Sequence, residues 1–135
     1  MHLYGAEYVW LEALQGNEGA VLPGDLPTKL PGNQEGEGGI KSMEELKERW
    51  EALDQRWNDY LASLTAESLD QPIYRKRATG ERFGTRRSDA MLHVCTHAHY
   101  TTAQVINMLR QSGVEKLPDI MLISLARQDF LESNS

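Results

Sequence analysis

Three of the four histidines, His93, His97 and His99, lie close together in a stretch that reads as a helix over residues 88–112. At about 100° per residue, His93, His97, Thr101, Gln104 and Met108 fall on one stripe, and His99 points to another side. Two imidazoles at i and i+4 can bind one metal ion from a single helix face, as in the zinc-binding helices of some proteases. The stripe borders the apolar arc of Val94, Ala98, Val105 and Leu109, which turns His97 inward or to the core's edge. A polar stripe in that position equally serves buried hydrogen bonding, so the spacing alone leaves both readings open. His2 starts an otherwise apolar segment and has no reading in isolation. Cys95, among apolar neighbours, reads as a buried, inert thiol rather than a nucleophile.

A second group is basic. Arg75, Lys76, Arg77, Arg82, Arg86 and Arg87 fall within thirteen residues, in a chain whose net charge is −6. That overall sign opposes a phosphate backbone, and the cluster reads as a solvated loop rather than a nucleic-acid site.

These residues need elements to hold them. Leu3, Ala6, Trp10 and Leu14 recur at spacings of three and four, which predicts a helix over 3–15 stopped by Gly16. Residues 16–39 hold seven glycines and three prolines. They read, with the residues up to 41, as a long mobile connection, disordered over 32–39. Ser42 and Glu45 form a capping box for a helix over 42–64. Its apolar positions Met43, Leu46, Trp50, Leu53, Trp57, Tyr60 and Leu64 alternate at three and four, a bundle-helix pattern rather than an aromatic cofactor box. Thr65 can cap one short turn. Residues 72–85 break the helical period around Thr79-Gly80 and read as a small hairpin or extended segment. Ser88 or Asp89 caps the histidine helix, which stops at Gly113. Pro118 opens a last helix with Asp119 in its first turn, and the tail 132–135 frays.

The 135 residues suit one domain, 1–135, with 40% apolar and 25% charged residues. The single cysteine excludes an intrachain disulfide and fits a reducing compartment. The N-terminus has no signal-peptide pattern, and no run approaches the roughly 18 apolar residues of a membrane helix. The expected location is the cytoplasm, without a membrane partner.

Taken together, the residues resemble the DinB-like family of helical bundle proteins. His2-Leu3-Tyr4-Gly5-Ala6-Glu7-Tyr8-Val9-Trp10-Leu11 is similar to that family's second helix, His-(Ile/Leu)-x-Gly-Ala-Glu-x-x-Trp-Leu. Residues 42–64 resemble the third helix, and Tyr74 to Phe83 an extended segment with a central glycine. Leu92-His93-Val94-Cys95-Thr96-His97, with Gln104-Val105 and Met108 to Gly113, resembles the fourth, and Pro118-Asp119 opens the counterpart of the C-terminus. The resemblance implies an all-α bundle, up-down-down-up in the family. Here that means three long helices plus a C-terminal helix. The family's first helix has no counterpart, since Met1 directly precedes His2. An uncovered bundle face points to a homodimer, by docking or by exchange of elements. The C-terminal helix filling the gap, or a misassigned start, are the alternatives.

The resemblance also implies a site for a divalent metal, zinc, nickel or iron. His2 matches the first ligand and His97 the second, and His93 is a lesser candidate. The third ligand falls at position 101, which is Thr101, and Tyr100 also replaces a common histidine. A threonine hydroxyl is a poor ligand, so the metal is expected weak or absent. Two functions follow. One is a degenerate or non-catalytic member, connected with stress, whose pocket residues Tyr100, Thr101 and Gln104 with His2 and His97 hold a small molecule. The other is an active metal-dependent thiol transferase-like or hydrolase-like enzyme. The family name alludes to damage-linked induction, not DNA contact, and no nucleic-acid partner is expected.

Overall fold

The computed structural model describes residues 1–133. In chain order the elements are α1 (His2–Leu14), α2 (Met43–Ala62), the single turn α3 (Ala66–Leu69), strands β1 (Pro72–Lys76) and β2 (Arg82–Arg86), α4 (Arg87–Gln111) and α5 (Leu122–Ser133). The fold is mainly helical, with one antiparallel hairpin that pairs Pro72 with Arg86 and Lys76 with Arg82. The chain divides into two compact units, Met1–Val94 and the residues from Cys95 onward, with the boundary inside α4.

In the first unit α1 is the central element. It buries Tyr4, Gly5, Ala6, Val9, Leu11, Ala13 and Leu14, far more than the single stripe its apolar spacing predicts. The excess has a reason: different sides of α1 meet different elements. Tyr4 and Leu11 cluster with Leu22, Leu46 and Leu53. Ala13 and Leu14 cluster with Ile73 of β1 and Ala90 of α4. The helix ends at Gly16 through paired bonds, Gly16 N to Ala13 O at 3.0 Å and Asn17 N to Glu12 O at 2.8 Å, which satisfy carbonyls the helix would otherwise leave open.

Helix α2 runs in the same direction as α1. The Trp50 indole donates to Glu7 Oε2 at 2.8 Å, and one turn and a half further along both helices Arg56 donates to Glu12 Oε1 at 2.5 Å. A parallel pair cannot be joined by a tight turn. The chain must travel back along the length of α1, about 20 Å at roughly 1.5 Å per residue. Residues 16–41 make that return.

The return segment, expected mobile and disordered over 32–39, carries a side-chain frame instead. Asp25 accepts from Gly32 N at 2.6 Å, Gln34 N at 2.9 Å and Gln34 Nε2 at 2.6 Å. Gln34 Oε1 in turn accepts from Ile40 N at 2.7 Å. Leu22 is buried in the core and Ile40 packs against it. Glycine and proline counts carry no information about these long-range acceptors, which is why composition alone suggested a loose chain.

Helix α2 starts as expected at Ser42, whose side chain accepts from Glu45 N at 3.0 Å. The return half of the box is shifted by one residue: Glu45 Oε2 accepts from Lys41 N at 2.9 Å. Of the apolar seam, Leu46 and Leu53 are buried, Trp50, Trp57 and Tyr60 pack against the core, and Met43 is 73% exposed. Thr65 caps α3 as expected. Helix α4 follows β2 without a cap residue between them, and Asp89, expected as a cap, is held bidentately by Arg86 at 2.8 and 3.1 Å.

The second unit holds the rest of α4, its stop at Gly113, and α5. The last helix begins at Leu122, not Pro118. Asp119 Oδ1 accepts from Met121 N at 2.9 Å, so this residue shapes the turn before the helix rather than its first turn. Leu122, Ile123, Leu125, Phe130 and Leu131 are all exposed. Among the described residues no helix is long and apolar enough to cross a membrane.

Candidate functional site

His2 is the first residue of α1, and two close approaches fix its surroundings. A Cβ on Gly5 would lie 2.6 Å from Gly32 N. A Cβ on Gly32, whose φ is +84°, would lie 2.5 Å from Met1 O and 2.8 Å from His2 Cα. Only two facing glycines let the Pro31-Gly32 turn lie against the first turn of α1. That contact brings the Pro31 carbonyl oxygen to 3.1 Å from His2 Nδ1. In the neutral ring the bond to a carbonyl places the proton on Nδ1 and the lone pair on Nε2.

Further along α1, Trp10 has a ring neighbour and a cation. His93, exposed on the early part of α4, meets it edge-on with centroids 5.2 Å apart. The Arg75 guanidinium stands 5.0 Å from its centroid. Glu7, whose carboxylate takes the Trp50 bond, is pushed above the usual carboxylate range. Burial is the main cause, the indole bond offsets part of it, and Asp54 adds to it.

The other predicted residues, His97, Tyr100, Thr101 and Gln104, belong to the second unit and to α4. Their positions span one continuous face of the helix, with Thr101 one turn beyond His97. His97 and Thr101 are half-buried, and Tyr100 and Gln104 are exposed. Cys95, expected buried, is exposed. Its helical neighbours are apolar, but neighbours in sequence do not decide which face of a helix is covered.

A neutral imidazole is a good metal ligand and a threonine hydroxyl is a poor one, and catalytic zinc usually takes three strong protein ligands. Among the described residues no three His, Cys, Asp or Glu side chains gather in a way that could hold a metal ion.

Most of the basic cluster is internally paired. Arg82 gives two 2.7 Å bonds to Glu18 and lies 3.6 Å from the Tyr74 ring centroid. Arg86 pairs with Asp89, and Arg77 lies 3.3 Å from Glu81. Arg87 donates to the Ser68 carbonyl at 2.9 Å. Sequence reading found this cluster but not the acidic partners, Glu18 above all, which lies 64 residues from Arg82. It also missed Pro31, Gly32 and Asp25, for which the turn-forming residues gave position but no destination.

The sequence pattern of the DinB superfamily matches residues 1–105, from His2 through the histidine-bearing face of α4. The chain belongs to the DinB superfamily. No curated protein and no solved structure matches it significantly. For this DinB-superfamily chain the match includes the His2 to Leu11 motif, and the structure supplies a physical reason for its Gly5 in the contact with Gly32.

Proposed function

We propose that this member of the DinB superfamily works without a catalytic metal and holds a small molecule on the α4 face formed by His97, Tyr100, Thr101 and Gln104. The observation that carries the reading is Thr101, set one turn beyond His97, where the resemblance expects a third imidazole. Hydroxyl, amide, phenol and imidazole groups on one face suit hydrogen bonding to a polar ligand rather than Lewis-acid chemistry. The competing enzyme, a metal-dependent thiol transferase-like or hydrolase-like protein, requires zinc, nickel or iron on His2 and His97 with a third donor.

Metal analysis after loading with each ion separates the two. The proposal expects well under one equivalent bound. Stoichiometric metal that is lost in both His2→Ala and His97→Ala would establish the enzyme reading instead. The exposed Leu122, Ile123, Leu125, Phe130 and Leu131 of α5 support self-association as a homodimer. Sedimentation at low concentration tests this: a dimer is expected, and a stable monomer overturns it.

A further inference from the structure

A groove in the first unit offers a different chemistry from the α4 face. It lies between the 19–31 stretch and the hairpin turn, and it measures about 810 Å3. That is within the range of roughly 300–1,000 Å3 typical of small-molecule pockets. One wall is apolar. Val21, Leu26 and Leu30 line it and remain 40%, 38% and 75% exposed, an apolar strip left in water on one short segment. The other wall is β1 and the turn after it, including Arg75, Lys76 and Arg77.

The charges along this groove are not equally engaged. Lys29 is paired with Glu35, and Arg77 with Glu81. Asp25, the acidic residue of the lining, spends both oxygens on Gly32 and Gln34. Glu18, the carboxylate near Lys76, gives both oxygens to Arg82. Arg75 and Lys76 are left without an ion pair among the described residues. Arg75 is half-buried over Trp10, and burial pulls its pKa below the ordinary arginine value, the response of a cation partly stripped of water. An anion placed there would gain a charge-assisted bond and restore what burial removes.

We propose that this groove binds a small amphipathic anion, its carboxylate or phosphate head at Arg75 and its apolar body along Val21, Leu26 and Leu30. The site uses no residue of α4 and stands or falls independently of the reading above. Two features set the occupant. The Arg75 guanidinium selects an anion over a neutral molecule, and the exposed aliphatic wall selects one with an apolar tail over a bare ion.

Calorimetric titration of the full chain with octanoate, octyl phosphate, octanol and inorganic phosphate tests this directly. At least one eight-carbon anion should bind about tenfold or more tighter than octanol and than inorganic phosphate, and the tighter of the two names the head group. Arg75→Gln should weaken that binding severalfold, and Arg75→Lys, which keeps the charge, should weaken it less. Arg86→Gln, outside the groove, should leave it unchanged. Affinity for octanol equal to that for both octanoate and octyl phosphate, no binding of either anion, or full affinity in Arg75→Gln would overturn the proposal.

Discussion

His2 Nδ1 and the Pro31 carbonyl oxygen stand 3.1 Å apart, tying the first turn of α1 to a loop residue twenty-nine positions away. A bond from one ring nitrogen to a carbonyl is the arrangement that orients a metal-binding imidazole and fixes its tautomer. In this chain the orienting bond is present while position 101 carries a hydroxyl. On the proposed function, one side chain, Thr101, separates this chain from a three-imidazole set.

The glycine contact behind that bond gives the first prediction. Gly32→Ala must move either the Pro31-Gly32 turn or the start of α1, and it also strains a left-handed residue. Overpacking and backbone strain together should cost about 3 kcal/mol, read from urea unfolding. A loss under about 0.5 kcal/mol would mean that the two segments do not touch as described.

Two residues of the α2 apolar seam should behave differently. Leu53 is 2% exposed and Met43 is 73% exposed. Leu53→Ala should lose about 3 kcal/mol through the lost burial and the cavity left behind, and Met43→Ala within about 0.5 kcal/mol of nothing. Similar losses at both sites would restore the full-length seam that the spacing suggests.

Opposite pH dependences are expected from two glutamates of α1. Burial raises the Glu7 carboxyl above its ordinary value, so the folded chain holds that proton more tightly than the unfolded one. Its charged form therefore opposes folding, and stability falls as pH rises from the unfolded value through the folded one. Burial also pushes Glu12 upward, but bonds from Arg56 and Asn17 together with the Arg56 charge outweigh it and hold this carboxyl low. Its contribution is present above the unfolded pKa and is lost as pH falls through the folded one. Glu7→Gln, which keeps an acceptor for Trp50, should raise stability more at pH 7 than at pH 4. Glu12→Gln should lower it at pH 7 by about 1 kcal/mol or less, Arg56 being partly exposed, and have less effect at pH 4. Melting curves of both variants across this range check the pair; slopes of the same sign would contradict it.

Helices were the legible part of this chain, because periodicity and caps are local. The Ser42 cap, the stop at Gly16 and the turn capped by Thr65 all lie within a few residues of what they fix. What spacing could not show was partnership at a distance. The Arg82 to Glu18 pairing, the Asp25 frame and the burial of α1 on several sides depend on segments far away in sequence. The same limit explains Cys95, whose apolar helical neighbours suggested burial and which is exposed. For the candidate site, residue types at 97 and 101 were readable at once, and the turn that orients His2 was not.

Metal binding by the native chain and by Thr101→His, measured side by side with zinc, nickel and iron, bears most directly on whether a single side chain separates this protein from metal chemistry. Weak, substoichiometric metal is expected in the native chain and near one equivalent in Thr101→His, with an affinity gain of about a hundredfold or more from the added imidazole. A native chain that already binds one equivalent, or a Thr101→His variant that binds no better, would contradict it.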